Sequence, residues 1–135
     1  MKIGMNLPIM VPGLDRDLVA SWCRAIDQGP FSCLAVGERI CFPNPDIMVT
    51  LSFAAAVTER VPLLFNVLVL PMHDPVLIAK QVATLDVLSA GRVQLALGVG
   101  GREEDYRAVS ADYDRKRQMH RLECGIETLR ATWDG

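Results

Sequence analysis

The sequence predicts an α/β fold of parallel strands, each followed by a helix, with about four such units in 135 residues. Three observations lead there. Residues 62–106 hold one strand–helix–strand unit with its punctuation intact: an apolar, β-branched run ends at Pro71, a helix opens at Asp74-Pro75 and closes at Ser89-Ala90-Gly91, and a second apolar run from Val93 ends in Gly98-Val99-Gly100-Gly101. The same alternation recurs along the chain, which is the pattern of a parallel sheet. Half of the residues are apolar and mean hydropathy is +0.22, high for a small domain but suited to strands buried on both faces.

Each element follows from local signals. Lys2–Leu7 reads as a first strand, stopped by Pro8 and Pro12-Gly13. Asp15 N-caps a helix whose apolar face is Leu18, Val19, Trp22, Cys23 and Ile26, and Gly29-Pro30 ends it. Ser32–Val36 is a short second strand, and Gly37–Pro45 is a proline-containing loop that carries Glu38 and Arg39. Asp46 caps the next helix, which runs through Met48, Leu51 and Ala55 to Glu59; Leu63–Leu70 is the third strand. Pro75, a favoured first helical residue, starts a helix to Ser89 with Ile78, Val82, Leu85 and Leu88 on one face. Val93–Val99 is the fourth strand. Gly101 or Arg102 opens a short helix whose Glu103, Glu104 and Asp105 suit a helix N-terminus. Asp112 or Asp114 caps a last helix striped by Met119, Leu122, Ile126, Leu129 and Trp133. Both stripes are expected to pack on the sheet, where each fully buried side chain contributes about 1.5–3 kcal/mol.

Composition excludes several classes. Only 22% of residues are charged and the net charge is −2, so the basic footprint of a nucleic-acid binder is absent. The longest apolar run, Val61–Met72, is interrupted and too short to span a bilayer. The N-terminus lacks the apolar core of a signal peptide, and a cytoplasmic protein is expected. Cys23, Cys33, Cys41 and Cys124 have no C-x-x-C spacing, and the histidines are His73 and His120, so no zinc site is expected. The cysteines read as small apolar residues; Cys41, in a loop, is the one to test for reactivity. A complete eight-unit barrel needs about 250 residues, and four parallel strands left open expose two edges. The chain therefore reads as half of a larger barrel, a self-pairing half-barrel or a four-strand open sheet, and a homo-oligomer is expected.

In parallel α/β folds chemistry collects at the carboxyl ends of strands. Asn66 is polar inside an apolar strand: it marks a bulge or a ligand contact, or it is a satisfied core amide. Glu38 and Arg39 follow the second strand, as site residues or as a solvated loop ion pair. Gly98, Gly100 and Gly101 let a ligand approach the backbone, and the helix that follows offers free amides; a tight turn that binds nothing explains them equally. Glu103 stands where a dinucleotide fingerprint would need a third glycine. Arg102 reads as part of a helix-surface ion pair, His73 as a neighbour of the Asp74 cap, and His120 as solvated.

The run NVLVLPMHDPVLIAKQVATLDVLSAGRVQLALGVGGREEDYRAV, the first strand MKIGMNLP, the turn Ala35–Arg39 and the last helix ending LRATW together resemble the bacterial luciferase-like superfamily of flavin- or F420-dependent oxidoreductases. The resemblance covers almost the whole chain and maps onto the N-terminal half of a family member. It implies parallel units of the (β/α)8 TIM-barrel type, as a half-barrel or truncated barrel, in a single domain over 1–135 that is incomplete relative to the family. It also implies an oxidoreductase or monooxygenase that uses reduced FMN or F420, which these residues do not distinguish, on a small organic substrate. The ring would rest on a bulge at the end of the third strand, with a non-proline cis peptide at Asn66-Val67. Asn6, Asn66, Val67, Leu68, Gly98, Gly100 and Gly101 would contact the cofactor. Glu38 and Arg39 would be the catalytic pair. The family often has a histidine where Arg39 stands; an arginine is no base near neutral pH, but it orients an anionic group or stabilises developing negative charge. The alternative is a non-catalytic half-barrel acting as a structural or self-associating module, because much of the phosphate grip in relatives comes from the C-terminal half.

Overall fold

Four helices start at an aspartate that caps them. In the computed structural model, which describes all residues from Met1 to Gly135, Asp15 accepts from Leu18 N–H ahead of α1 (Arg16–Gln28), and Asp46 from Val49 N–H ahead of α2 (Ile47–Val57). Asp74 accepts from Leu77 N–H ahead of α3 (Pro75–Leu88), and Asp114 from Lys116 N–H ahead of α5 (Arg115–Asp134). Each bond satisfies an amide that the first helical turn leaves without a partner. The short helix α4 (Glu103–Ala108) has no side-chain cap and opens on its three acidic residues.

The strands β1 (Met5–Asn6), β2 (Leu34–Val36), β3 (Leu63–Val69) and β4 (Val93–Gly98) pair in parallel in sequence order, β1-β2-β3-β4. The first strand is shorter than expected, yet its ladder continues on both sides. Ser32 N–H donates to Ile3 O and Leu7 N–H to Ala35 O. A sequential parallel order with right-handed crossovers puts every connecting helix on one face of the sheet. That is the wall of a barrel and not the two-sided cover of a doubly wound fold.

Burial follows from this order. Leu34, Val36, Leu63, Phe65 and Leu68 from the strands meet Cys23, Ile26, Leu51, Ile78 and Leu85 from the helices in one core. On the other face Asn66 and Gln94 are exposed and Leu64 and Ala96 only half-buried. No helix is long and apolar enough to cross a membrane.

Both helix stripes need correction. Leu88 is 74% exposed, Met119 53% and Trp133 44%. The last helix packs on α3 and on the 3-10 turn Leu70–Met72, not on the sheet. Gly125 allows this approach, since a Cβ there would lie 2.7 Å from Leu70 Cδ2. Leu129 is buried at this contact, and Trp133 Nε1–H donates to Ala79 O at 3.0 Å. The helical face of four strands is filled by α1, α2 and α3, so the fifth helix covers a flank.

Two helix ends are closed from a distance. Neither α1 nor α2 has a basic residue in its last turn. Arg60 donates instead to Ile26, Asp27 and Gly29 carbonyls at the end of α1. Arg92 donates to Ala55 and Thr58 carbonyls at the end of α2. Each arginine stands just before the strand that follows, where its charge meets the negative end of a helix dipole.

Candidate functional site

The ladder between β3 and β4 slips at one place. Asn66 pairs with Ala96 and Leu68 with Leu97, which leaves Val67 as a bulge. The Asn66-Val67 peptide is cis, at the bond the resemblance implied. Gly37 lies against this bulge: a Cβ there would be 3.0 Å from Asn66 O. Sequence reasoning did not single out Gly37, although a glycine directly after a strand was a visible signal.

Around the bulge the strand ends form an open cleft of about 480 Å³. Asn6 and the segment Leu7–Val11 form one wall, Gly37, Glu38 and Arg39 another, and Asn66 and Val67 the floor. Asn6 and Asn66 turn their side chains to the same side, with Asn66 Nδ2 at 3.5 Å from Asn6 Oδ1. Arg39 is exposed and donates to the Glu38 carbonyl at 3.0 Å.

Glu38 behaves differently from its neighbour. Its side chain is 2% exposed, its Oε2 accepts from Val69 N–H at 2.6 Å, and its Oε1 lies 2.7 Å from His73 Nε2. His73, expected as a cap neighbour, is thus also a carboxylate partner. A second buried carboxylate, Asp105, accepts from Ile40 N–H at 3.2 Å and Cys41 N–H at 2.8 Å. The Gly37–Pro45 loop is therefore tied to β3 on one side of Arg39 and to α4 on the other. In the sequence Asp105 is only an acidic first-turn residue; nothing local marks a bond spanning 64 positions.

The other expected site residues divide. Leu68 is 1% exposed, its side chain lies in the core, and it does not line the cleft. Gly98 backs onto the floor, a Cβ there meeting Val67 Cγ2 at 3.2 Å. Gly100 has φ +64, and a Cβ there would lie 2.9 Å from Val69 Cγ1. Gly101 is exposed with open space around it. The glycine turn thus adjoins the cleft through Val67 and Val69 without lining it. Cys41 is exposed, but partial desolvation and then the Asp105 carboxylate hold its thiol above the ordinary range. Arg102 meets Glu104 and Asp105 at 3.7 Å, as the ion-pair reading expected, and stacks on Phe42.

Known proteins share this fold. A profile of the family described as luciferase-like monooxygenase matches residues 1–135. The chain is 32% identical to 4-hydroxyprotoasukamycin monooxygenase from Streptomyces nodosus subsp. asukaensis, over 91% of this chain and 36% of that one. Its fold matches the oxygenating constituent of 3,6-diketocamphane monooxygenase from Pseudomonas putida, a type II Baeyer-Villiger monooxygenase solved in complex with FMN. That match has TM-score 0.83 and 17% identity, over 96% of this chain and 38% of that one. It also matches the coenzyme F420-dependent tetrahydromethanopterin reductase from Methanopyrus kandleri, with TM-score 0.68 and 20% identity, over 83% of this chain and 30% of that one. The chain spans about a third of the length of the curated relatives it matches. Four parallel strands in one sheet, helices on one face and a profile match along the full length lead to one statement: this chain belongs to the luciferase-like monooxygenase family.

Proposed function

We propose that residues 1–135 form one domain that supplies half of an oxidoreductase site, holding FMN or F420 across its strand ends and acting on a small organic substrate. The observation that carries this reading is the bulge at Asn66-Val67 flooring an open cleft of about 480 Å³. The residues there fit a flat redox ring. Val67 would offer an apolar surface to it, and Gly37 leaves the backbone after the second strand without a side chain beside the bulge. Asn6 and Asn66 direct their amide groups to the same side of the cleft, where they would hydrogen-bond a polar group of the ring. Gly98, Gly100 and Gly101 leave Val99 as the one side chain beyond Cα in the neighbouring turn. Arg39 orients an anionic group, and Glu38 completes that wall. The two solved neighbours, one in complex with FMN and the other F420-dependent, support both cofactors.

When bound, reduced flavin would supply oxygen activation and F420 would supply hydride transfer. The part of this chain is to bind the ring, orient the substrate and keep water out. The same reading assigns the protein to the cytoplasm and makes its activity that of a monooxygenase or of an F420-type oxidoreductase. Titration of the full chain with FMN, reduced FMN and F420, followed by ring fluorescence, tests it. Saturable uptake of one of them is expected; a folded protein that takes up none overturns it.

A second reading, self-association, is favoured by one observation. Both β1 and β4 are edge strands, and the sheet face carrying Leu64, Asn66, Gln94 and Ala96 is uncovered. Unpaired strand edges are templates for another chain. A homo-oligomer that hides them is expected to elute at twice the monomer mass, and a strict monomer at high concentration rejects it.

A further inference from the structure

We infer that Glu38 and His73 form a positioning latch that sets the cleft floor, with Glu38 acting through Val69 and not on substrate. The inference rests on the ring-binding reading for its functional part. Its structural part stands on geometry alone.

The pairing of β2 with β3 ends at Val36 opposite Phe65. Beyond it the chain after β2 leaves as a loop, and the Val69 amide has no carbonyl from that side. The Glu38 carboxylate takes that place at 2.6 Å, so a side chain continues the ladder where the backbone has turned away. Val69 is itself a junction. It pairs with Gly98, its side chain occupies the space a Cβ on Gly100 would need, and it packs with Met72 and Tyr106. Holding Val69 thus fixes both the end of the Asn66-Val67 bulge and the glycine turn beside it.

His73 holds the carboxylate. A buried carboxylate with a single amide partner would leave its other oxygen desolvated and unpaired, which is costly. His73 Nε2, at 2.7 Å from Oε1, removes that cost. The imidazole comes from the turn after the Leu70–Met72 helix, so the latch joins the loop after β2 to both ends of that turn. Both Glu38 oxygens are engaged and the side chain is 2% exposed, so it has no free oxygen to offer a ligand. Arg39 is left as the charged side chain of the pair that faces the cleft.

The test uses the full ¹⁵N-labelled chain and four proteins: the parent, E38A, H73F and H73Q. Amide shifts and hydrogen exchange of Val69 are read beside ring affinity for FMN and F420. In the parent a downfield, slowly exchanging Val69 amide is expected. E38A and H73F are expected to shift the amides of Asn66–Val69 and Gly98–Gly100, speed Val69 exchange and weaken ring affinity about tenfold, the size of a lost charge-assisted hydrogen bond. H73Q, which keeps a donor toward Glu38, is expected to restore both readouts; a merely space-filling role for His73 would favour Phe over Gln. An unmoved Val69 amide in E38A, or equal behaviour of H73F and H73Q, overturns the latch. Should E38A fail to fold, the two His73 variants decide alone. If the parent takes up no ring, the ring-binding reading falls, and the amide readouts still decide the latch.

Discussion

The side chains of Asn6 and Asn66 meet at 3.5 Å, although one closes β1 and the other sits in the bulge of β3 with β2 between them. The distance is at the long limit of a hydrogen bond, so each amide keeps most of its capacity for a ligand. Both lie on the sheet face away from the helices.

Asn66→Ala is expected to leave stability within about 0.5 kcal/mol, since the side chain is exposed, and to weaken ring uptake by about tenfold, the worth of one hydrogen bond. Asn6→Ala is expected to weaken it less. A fluorescence titration of the single and double variants checks this, with coupling expected because the two residues touch.

The glycine turn calls for two substitutions, not one. Gly100→Val combines a left-handed backbone, φ +64, with a Cβ only 2.9 Å from Val69 Cγ1. It is expected to cost about 2–4 kcal/mol, whatever the ligand. Gly101 has open space and no positive φ, so Gly101→Val is expected to fold as the parent does. Only Gly101→Val tests contact with the ring; parent-like affinity in it rejects that contact.

Arg92 distributes its guanidinium over the carbonyls of Ser89, Val61, Ala55 and Thr58 and the Thr58 hydroxyl. A lysine ammonium cannot span that fork. Arg92→Lys is expected to lower unfolding stability by about 2 kcal/mol, read as a shift in urea midpoint. No shift would make the network ornamental.

Asp27 gives the fold an acid limit. Burial pushes its carboxyl up, but the amides of Glu59, Val61 and Arg60 and the Arg60 charge outweigh this, and its pKa lies below the ordinary value. A carboxyl with a lower pKa in the folded than in the unfolded chain contributes stability above the unfolded value, about 3.9. That contribution is lost as pH falls through the folded value. Asp27→Asn is expected to be less stable at pH 7 and to show a flatter decline as pH falls below about 4. Parallel stability curves for the two proteins would remove Asp27 from the account.

Thiol labelling separates the cysteines. Burial pushes the Cys23 thiol up to about 11, with Arg24 lowering it and Asp27 raising it. Cys23 is expected to stay unlabelled by iodoacetamide at pH 8 until the chain unfolds. Cys41 is expected to label more slowly in the folded chain than in urea despite its exposure, because partial desolvation and then the Asp105 carboxylate oppose the thiolate. Peptide mass spectrometry reads both sites; fast labelling of Cys41 would contradict the held loop.

The amino-acid sequence determined whatever acts over a few residues. Asp15, Asp46 and Asp74 cap the helices they precede, each with a bond spanning three positions. The apolar runs fix the strands, and their alternation with helices fixes a parallel sheet. The family resemblance reached further and marked Asn66-Val67. Tertiary structure decided the rest, because a strand's register brings together residues that no local pattern connects. Arg60 and Arg92 close the ends of helices more than 30 positions earlier. Glu38 reaches Val69, and Asp105 reaches Cys41, across 31 and 64 positions. The stripe on α5 is legible as apolar, but which surface it covers depends on how many strands the sheet has to offer. Periodicity identifies the face a helix buries; only the packed sheet, by filling its own surface first, decides what that face meets.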